Sequence, residues 1–276
     1  MIGAVVLELK SANNSSLPVV HGKWLHAAFF NEVAKLSPEM ATELHEENGI
    51  KPFTVSELEP VNLKDIKKMR EKGDSCYCIE EGFRFYWRVT ALNEELLRLL
   101  LKIRVGNEIR VNRALFVIER ILVSPDDHEN SGILDENELI AQCLNVRSVT
   151  EITFCFTSPV SFHTDRQDMP LPKPELIFGS VVDKWNQCNM PIPLKRTEII
   201  ELAHSCSLVK WNGKTIRRFY GENHGITGFM GRFTFNLSRL QENEKRLCLL
   251  LAQFSVFSGV GRLTGQGMGQ SRVFYR

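Results

Sequence analysis

The stretch Gly259-Val-Gly-Arg-Leu-Thr-Gly-Gln-Gly-Met-Gly-Gln-Ser-Arg-Val273 places five glycines in eleven residues near the end of the chain. Before it, residues 242–257 put Leu247, Leu250, Leu251, Phe254 and Phe257 on one face of a helix. After it, residues 272–275 read as a last strand. The order is helix, loop, strand. A dinucleotide-binding fingerprint needs the reverse, a strand before its glycines and a helix after them. A P-loop needs Lys followed by Ser or Thr after the second glycine, and neither is present. The common nucleotide-binding folds are therefore excluded for this loop. Glycine still admits positive φ and close backbone approach, and a run of uncovered N–H groups is a natural cradle for phosphate oxygens. Arg262 and Arg272 flank it with charge. Gly259, Gly261, Gly265, Gly267 and Gly269 are thus the first place to expect a phosphate-bearing partner; the alternative reading is a mobile hairpin.

Outward from the loop, the second half of the chain reads as strand 149–156, a proline-rich entry at 170–174, helix 175–187, a strand pair or bent strand at 208–220, strand 228–236, helix 242–257 and the last strand. The first half has the same order. Residues 2–9 are a strand and 23–35 a helix with Leu25, Ala28, Phe29 and Val33 near helical spacing. Ser37-Pro38 is an N-cap followed by proline at the first helical position, so a second helix runs to about His45, where Asn48-Gly49 stops it. Residues 53–58 and 84–91 are strands, the latter alternating Phe85, Trp87 and Val89. Asn93 caps a helix to residue 104, and 114–123 is a strand. Two β-α-β-β-α-β passages make an α+β protein of tandem ferredoxin-like βαββαβ domains. The polar, acidic segment from Ser124 to Glu138 is the candidate linker. The expected division is 1–124, a linker over 125–147, and 148–276. It rests on element order, since no internal sequence repeat is visible.

The chain has 276 residues, 43% hydrophobic and 24% charged. That suits one large or two ordinary globular domains. No apolar run approaches the roughly 20 residues of a membrane helix, and the first ten residues lack the basic flank of a signal peptide. There are seven cysteines. Cys76-Tyr-Cys78 has one residue between its thiols, where a zinc knuckle has two, and no second pair completes a site. Buried thiols in a reducing cytoplasm are expected. The net charge of +1 hides an asymmetry. Residues 1–149 hold 18 Lys and Arg against 23 Asp and Glu, while residues 150–276 hold 16 against 10. A basic half that carries the glycine loop fits an RNA binder with a few anchors, although many solvated faces are basic.

The candidate chemistry lies in the first third, in His26, His45 and Lys51. His26 and His45 fall on adjacent helices whose short connection makes them antiparallel neighbours. Histidine titrates near neutral pH, so two imidazoles can act as base and acid in one turnover. A lysine supplies positive charge to a developing phosphorane. RNA brings its own nucleophile, the 2′-hydroxyl, so such a set needs no metal. Each histidine could instead be an ordinary surface or hydrogen-bonded core residue, which is the expectation for His21. Zinc ligation by the three histidines lacks ligand spacing, and Asp126-Asp127 reads as solvated linker. No metal or cofactor is expected.

Four segments occur in order: Leu44-His45-Glu46 with Gly49-Ile-Lys51-Pro-Phe53-Thr-Val-Ser56; Ile177-Phe-Gly-Ser-Val-Val-Asp-Lys-Trp-Asn186; Gly225-Ile-Thr-Gly-Phe-Met-Gly231; and the terminal glycine loop. Together they resemble the CRISPR-associated repeat-processing endoribonucleases of the RAMP superfamily, over the whole chain. The resemblance implies tandem ferredoxin-like, or RRM-like, domains. It implies metal-independent cleavage of CRISPR repeat RNA in precursor transcripts, giving mature CRISPR RNAs with 2′,3′-cyclic phosphate and 5′-hydroxyl ends. His45 matches the family's helix-borne histidine and Lys51 the lysine after it. Some members place a tyrosine on the first helix, where this chain has Phe30; others use a histidine there, as His26 would be. Lys214, Arg217, Arg218 and Arg232, with the glycine loop, Arg262 and Arg272, resemble the RNA-binding face. Partners implied are precursor and mature repeat RNA, other subunits of an effector complex, and a second copy in a homodimer, without a membrane. The alternative on the same fold is a non-catalytic repeat-RNA-binding subunit. Which histidine is acid and which is base stays open here.

Overall fold

The computed structural model describes the chain except for Asn48, Leu63, Asp65, residues 72–73, Asp165 and residues 220–224. The helix stop expected at Asn48 and the strand end expected at Tyr220 lie outside the described residues. The chain divides into two compact units. One comprises Ile2–Ile133 with Gly265–Gly267; the other comprises Met1, Leu134–Thr264 and Met268–Arg276.

In the N-terminal unit, strand Ile2–Ser11 lies between Arg84–Ala91 and Ala114–Leu122, with Phe53–Val55 beyond the former. All these pairings are antiparallel. Numbered along the chain, the four strands stand in the spatial order two, three, one, four. Helix Gly22–Leu36 connects the first to the second and helix Glu94–Leu100 the third to the fourth. Alternation in Arg84–Ala91 turns Phe85, Trp87 and Val89 inward, where Leu25, Ala28, Phe29 and Val33 of the first helix complete the same core.

The C-terminal unit repeats the arrangement. Strands Ser207–Phe219, Gly225–Asn236, Glu151–Val160 and Ser271–Tyr275 stand in that spatial order, again two, three, one, four. Helices Pro174–Gln187 and Glu242–Ser258 make the connections, with Arg196–His204 added after the former. The core is aromatic. Phe154 meets Phe178 at 5.9 Å and Phe235 at 6.0 Å between ring centroids, and Trp185 meets Phe254 edge-on at 5.1 Å. Both units are βαββαβ, the ferredoxin-like plan.

The expected linker 125–147 carries a strand, Gly132–Leu134, paired with Ile2–Ser11, and a helix, Glu136–Leu144. The Asp135 carboxylate accepts from the N–H groups of Asn137 and Glu138. Acidic residues that read as solvated chain are also those a helix N-terminus attracts. The second unit starts at Leu134 rather than 148, and Gly265–Gly267 belongs with the first. Other departures are local. The helix capped by Asn93 ends at Leu100, before a turn at Gly106 with φ 89°. The strand expected at 53–58 keeps ladder geometry over Phe53–Val55. A small sheet of Ser15–Pro18, Asp74–Ile79 and Lys67–Glu71, strand Glu108–Val111 and helix Arg196–His204 had no sequence counterpart. These are short or polar, and their hydrophobic period is weak.

Replacing Asp135 with Ala removes the cap of the Glu136–Leu144 helix. The expected cost is about 1 kcal/mol, read as a lower urea midpoint; an unchanged midpoint would mean that the cap contributes nothing.

Candidate active site and nucleic-acid interface

The three N-terminal histidines have different surroundings. His21 is buried and precedes the first helix. Its Nε2 accepts from the Leu58 N–H at 2.8 Å, so Nδ1 carries the proton and faces the Pro18 and Val19 carbonyls at 3.0 and 3.1 Å. With both ring nitrogens engaged, His21 is structural, as expected.

His26 sits one helical turn further on, half-buried. Its Nδ1 is 2.8 Å from the Gly265 carbonyl oxygen. A carbonyl can only accept, so Nδ1 is the protonated nitrogen and Nε2 keeps its lone pair. The ring lies between Phe53, stacked at 5.8 Å, and Phe30, edge-on at 4.9 Å. Burial holds the His26 pKa below its usual 6.5, against the opposing pull of the Gly265 carbonyl, and the charges of Lys51 and His45 lower it further. The imidazole is therefore neutral near pH 7.

His45 is exposed near the end of helix Pro38–Glu46. That helix starts as expected, with the Ser37 hydroxyl accepting from the Met40 N–H at 3.3 Å and Pro38 at its first position. Phe30 also meets His45, edge-on at 5.8 Å, so one phenylalanine touches both imidazoles. Lys51 turns its ammonium back onto the helix end. Nζ donates to the carbonyls of Leu44 at 2.5 Å, His45 at 3.4 Å and Glu47. Three donors meet three carbonyls that the helix cannot satisfy itself. The structure thus brings His26, His45 and Lys51 into one electrostatic neighbourhood, with Lys51 bracing the turn that carries His45.

The Gly265 carbonyl was not foreseen as part of this site. Its one sequence signal is Gly22, an unfavourable residue to open a helix. A Cβ there would stand 1.8 Å from the Gln266 carbonyl oxygen, so only glycine lets segment 265–267 lie against the start of the helix.

Only part of the loop has its N–H groups occupied, and those of residues 263–267 donate to no acceptor among the described residues. The N–H groups of Gly259, Val260, Gly261, Arg262, Met268 and Gly269 donate to Ser255, Gly269, the Ser180 hydroxyl, Ser161, Leu263 and Pro159 respectively. The glycines also serve packing. Gly269 has φ 73°, and a Cβ on it would meet the Val260 carbonyl oxygen at 2.2 Å. Beneath the loop, buried Lys184 donates to the carbonyls of Ser258 at 3.0 Å and Gly259 at 2.9 Å.

The other expected RNA-binding side chains separate into groups. Lys214, Arg217 and Arg218 lie on strand Ser207–Phe219, opposite Met230, Thr227 and Ile226 of Gly225–Asn236. The Arg217 guanidinium lies 5.4 Å from the Phe219 ring. Arg232, across from Asn212, lies 5.2 Å from the Phe274 ring. Arg262 directs Nη1 to Asp168 at 2.7 Å and to His163 Nδ1 at 3.4 Å. Arg272 stands opposite Cys155. Sequence reading passed over Trp211 and Phe219, which are 64% and 57% exposed on the same strand. The signal was present, since residues 208–219 show no alternation and such a strand does not bury one face.

The family described as CRISPR Cas6 N-terminal domain matches residues 1–132, and that described as CRISPR-associated endoribonuclease Cas6 matches residues 154–271. Among solved structures, Thermus thermophilus Cas6 (TTHB231) is 26% identical, with a TM-score of 0.71 over 99% of this chain and 98% of the other. The Cas6 (TTHB231) product complex is 29% identical, with a TM-score of 0.77 over 99% and 100%. The Cas6 (TTHA0078) product complex shares the fold at 22% identity, with a TM-score of 0.74 over 99% of each chain. A search of curated proteins gave no match. Both halves are thus matched, in order, by the two domains of one family over two βαββαβ units, and the chain belongs to the CRISPR-associated Cas6 endoribonucleases.

Proposed function

We propose that this endoribonuclease cleaves CRISPR repeat RNA in precursor transcripts without a metal ion, with His26 as general base and His45 as general acid. The observation that carries the reading is the 2.8 Å contact between His26 Nδ1 and the Gly265 carbonyl. It leaves Nε2 as a neutral acceptor, which a base requires. Nε2 takes the proton of a 2′-hydroxyl, and the 2′-oxygen attacks the adjacent phosphorus. The 5′-oxygen departs with a proton from His45. The products are a 2′,3′-cyclic phosphate and a 5′-hydroxyl. Because the RNA supplies the nucleophile, acid–base catalysis with charge stabilisation suffices.

Lys51 contributes positive charge to the phosphorane and holds the His45 turn. Donation to a phosphate oxygen requires it to exchange one of its three carbonyl partners. Phe30, which has no exchangeable proton, keeps the two imidazoles apart and shields His26 from water. In the C-terminal unit, Lys214, Arg217, Arg218, Arg232, Arg262 and Arg272 hold RNA phosphates and base edges. Gly259, Gly261 and Gly269, whose N–H groups are occupied, act through the conformation they give the loop, and Gly265 and Gly267 keep N–H groups available to a phosphate.

In EDTA, repeat RNA is expected to be cut with the ends given above, and a 2′-deoxy nucleotide at the scissile position abolishes cleavage. Tight binding of repeat RNA with no cleavage would overturn the reading. His26→Ala and His45→Ala are each expected to lose at least about 10²-fold in rate; full single-turnover activity in either would remove that residue from the mechanism.

The pH profile tests the base separately. A base must be unprotonated, and the pKa of His26 is held below 6.5. The acid limb of kcat/KM is therefore expected below pH 6.5, with activity lost as pH falls through that lowered value. An acid limb above 6.5 would assign the base elsewhere. Gly22→Ala, which forces the Gln266 carbonyl away, is expected to slow cleavage by roughly tenfold through a misplaced His26; wild-type rate in a folded variant would show that the 265–267 contact is dispensable.

A further inference from the structure

One part of the acidic N-terminal half is strongly basic. Lys64, Lys67, Lys68 and Arg70 fall within seven residues, and all four are exposed. Strand Lys67–Glu71 forms the edge of the small sheet, next to Asp74–Ile79 and then Ser15–Pro18. Alternation puts Lys68 and Arg70 on one face, about 7 Å apart along the strand. That is comparable with the separation of neighbouring phosphates in a nucleic-acid strand. Register sets Lys68 opposite Tyr77, with Nζ 5.7 Å from the ring centroid. The nearby carboxylate of Glu71 is already shared, accepting from the Ser16 hydroxyl and pairing with Arg113 Nη1 at 3.5 Å. Lys64, Lys67, Lys68 and Arg70 make no ion pair among the described residues.

Lysines on an edge strand also discourage edge-to-edge pairing. That does not account for Lys64, which precedes the strand, or for Arg113, which comes from the turn between Glu108–Val111 and Ala114–Leu122. None of the five cations belongs to the His26, His45 and Lys51 set, and none was among the RNA-binding residues expected from sequence.

We propose that this basic sheet is a second RNA-binding surface, one that engages the sugar-phosphate backbone of the precursor transcript without reading its sequence. The inference rests on the RNA-cleaving function proposed above, because that function makes the chain's own substrate a polyanion. A row of cations on a sheet edge matches a flexible single strand, whose backbone can follow it.

The test compares the wild-type protein with K67Q/K68Q/R70Q for binding to a repeat RNA with its flanking sequence, across a series of salt concentrations. The expected result is a loss of affinity of roughly tenfold, with a salt dependence shallower by about 2, the value for three lost single-strand phosphate contacts. The loss should be the same for unrelated flanking sequences. The charge-retaining K67R/K68R/R70K is expected to restore both affinity and salt dependence, and equal thermal midpoints of the three proteins establish a common fold. Unchanged affinity and unchanged salt dependence in K67Q/K68Q/R70Q would overturn the proposal, and would leave an acidic protein as the partner of this surface. If the wild-type protein binds RNA through these residues yet does not cleave it, the cleavage mechanism falls while the surface stands.

Discussion

The carbonyl oxygen of Gly265, 2.8 Å from Nδ1 of His26, is the contact around which the candidate site is organised. It joins residues 239 positions apart in the chain. It selects the tautomer, orients the ring between Phe30 and Phe53, and decides which nitrogen is available to a substrate. The contact needs a backbone approach that a single methyl group would block. Gly22 permits it at the start of the helix, and hydrogen bonds from the N–H groups of residues 259–262 and 268–269 hold the two ends of the glycine loop. Part of the pattern most suggestive of a phosphate cradle thus does positional work. Glycines are required wherever backbone meets backbone closely, and sequence alone does not say whether the nearby backbone belongs to the protein or to a ligand's binding loop.

Two lysines share another device. Lys51 and Lys184 each place an ammonium on the unpaired carbonyls at the end of a helix, Pro38–Glu46 and Glu242–Ser258 respectively. The negative end of the helix dipole favours a cation there. Their surroundings differ. Lys184 is almost fully buried, and burial pushes its pKa down to about 7. Between about pH 7 and its unperturbed value of 10.5, the unfolded chain binds more protons than the folded one, so this group's contribution to stability rises with pH across that window. Below pH 7 both states are protonated and the cost of burying the charge is carried in full. Lys51, on a half-buried turn, can exchange partners with a substrate far more readily than Lys184 can.

Much of the architecture was legible from hydrophobic period and punctuation. Arg84–Ala91 was readable because alternate aromatics face one core. Ser37-Pro38 and Asn93 marked helix starts because their side chains satisfy N–H groups that a helix leaves orphaned. The segments that escaped were those whose stabilisation comes from elsewhere. Lys67–Glu71 is exposed along nearly its whole length and exists as a strand because Asp74–Ile79 pairs with it. The acidic run before Glu136 resembled a linker because the same side chains suit solvent and a helix N-terminus equally well.

The sequence by itself determined the repeated βαββαβ order and the basic second half, and it singled out His26, His45 and Lys51 as candidates, since each follows from periodicity, charge or side-chain type over short windows. Tertiary structure alone decided that Phe30 would stand against both imidazoles, that Lys51 would face helix carbonyls, and that a glycine carbonyl would fix His26. These depend on distances between segments remote in the chain, and no local pattern encodes a distance that only the packed core establishes.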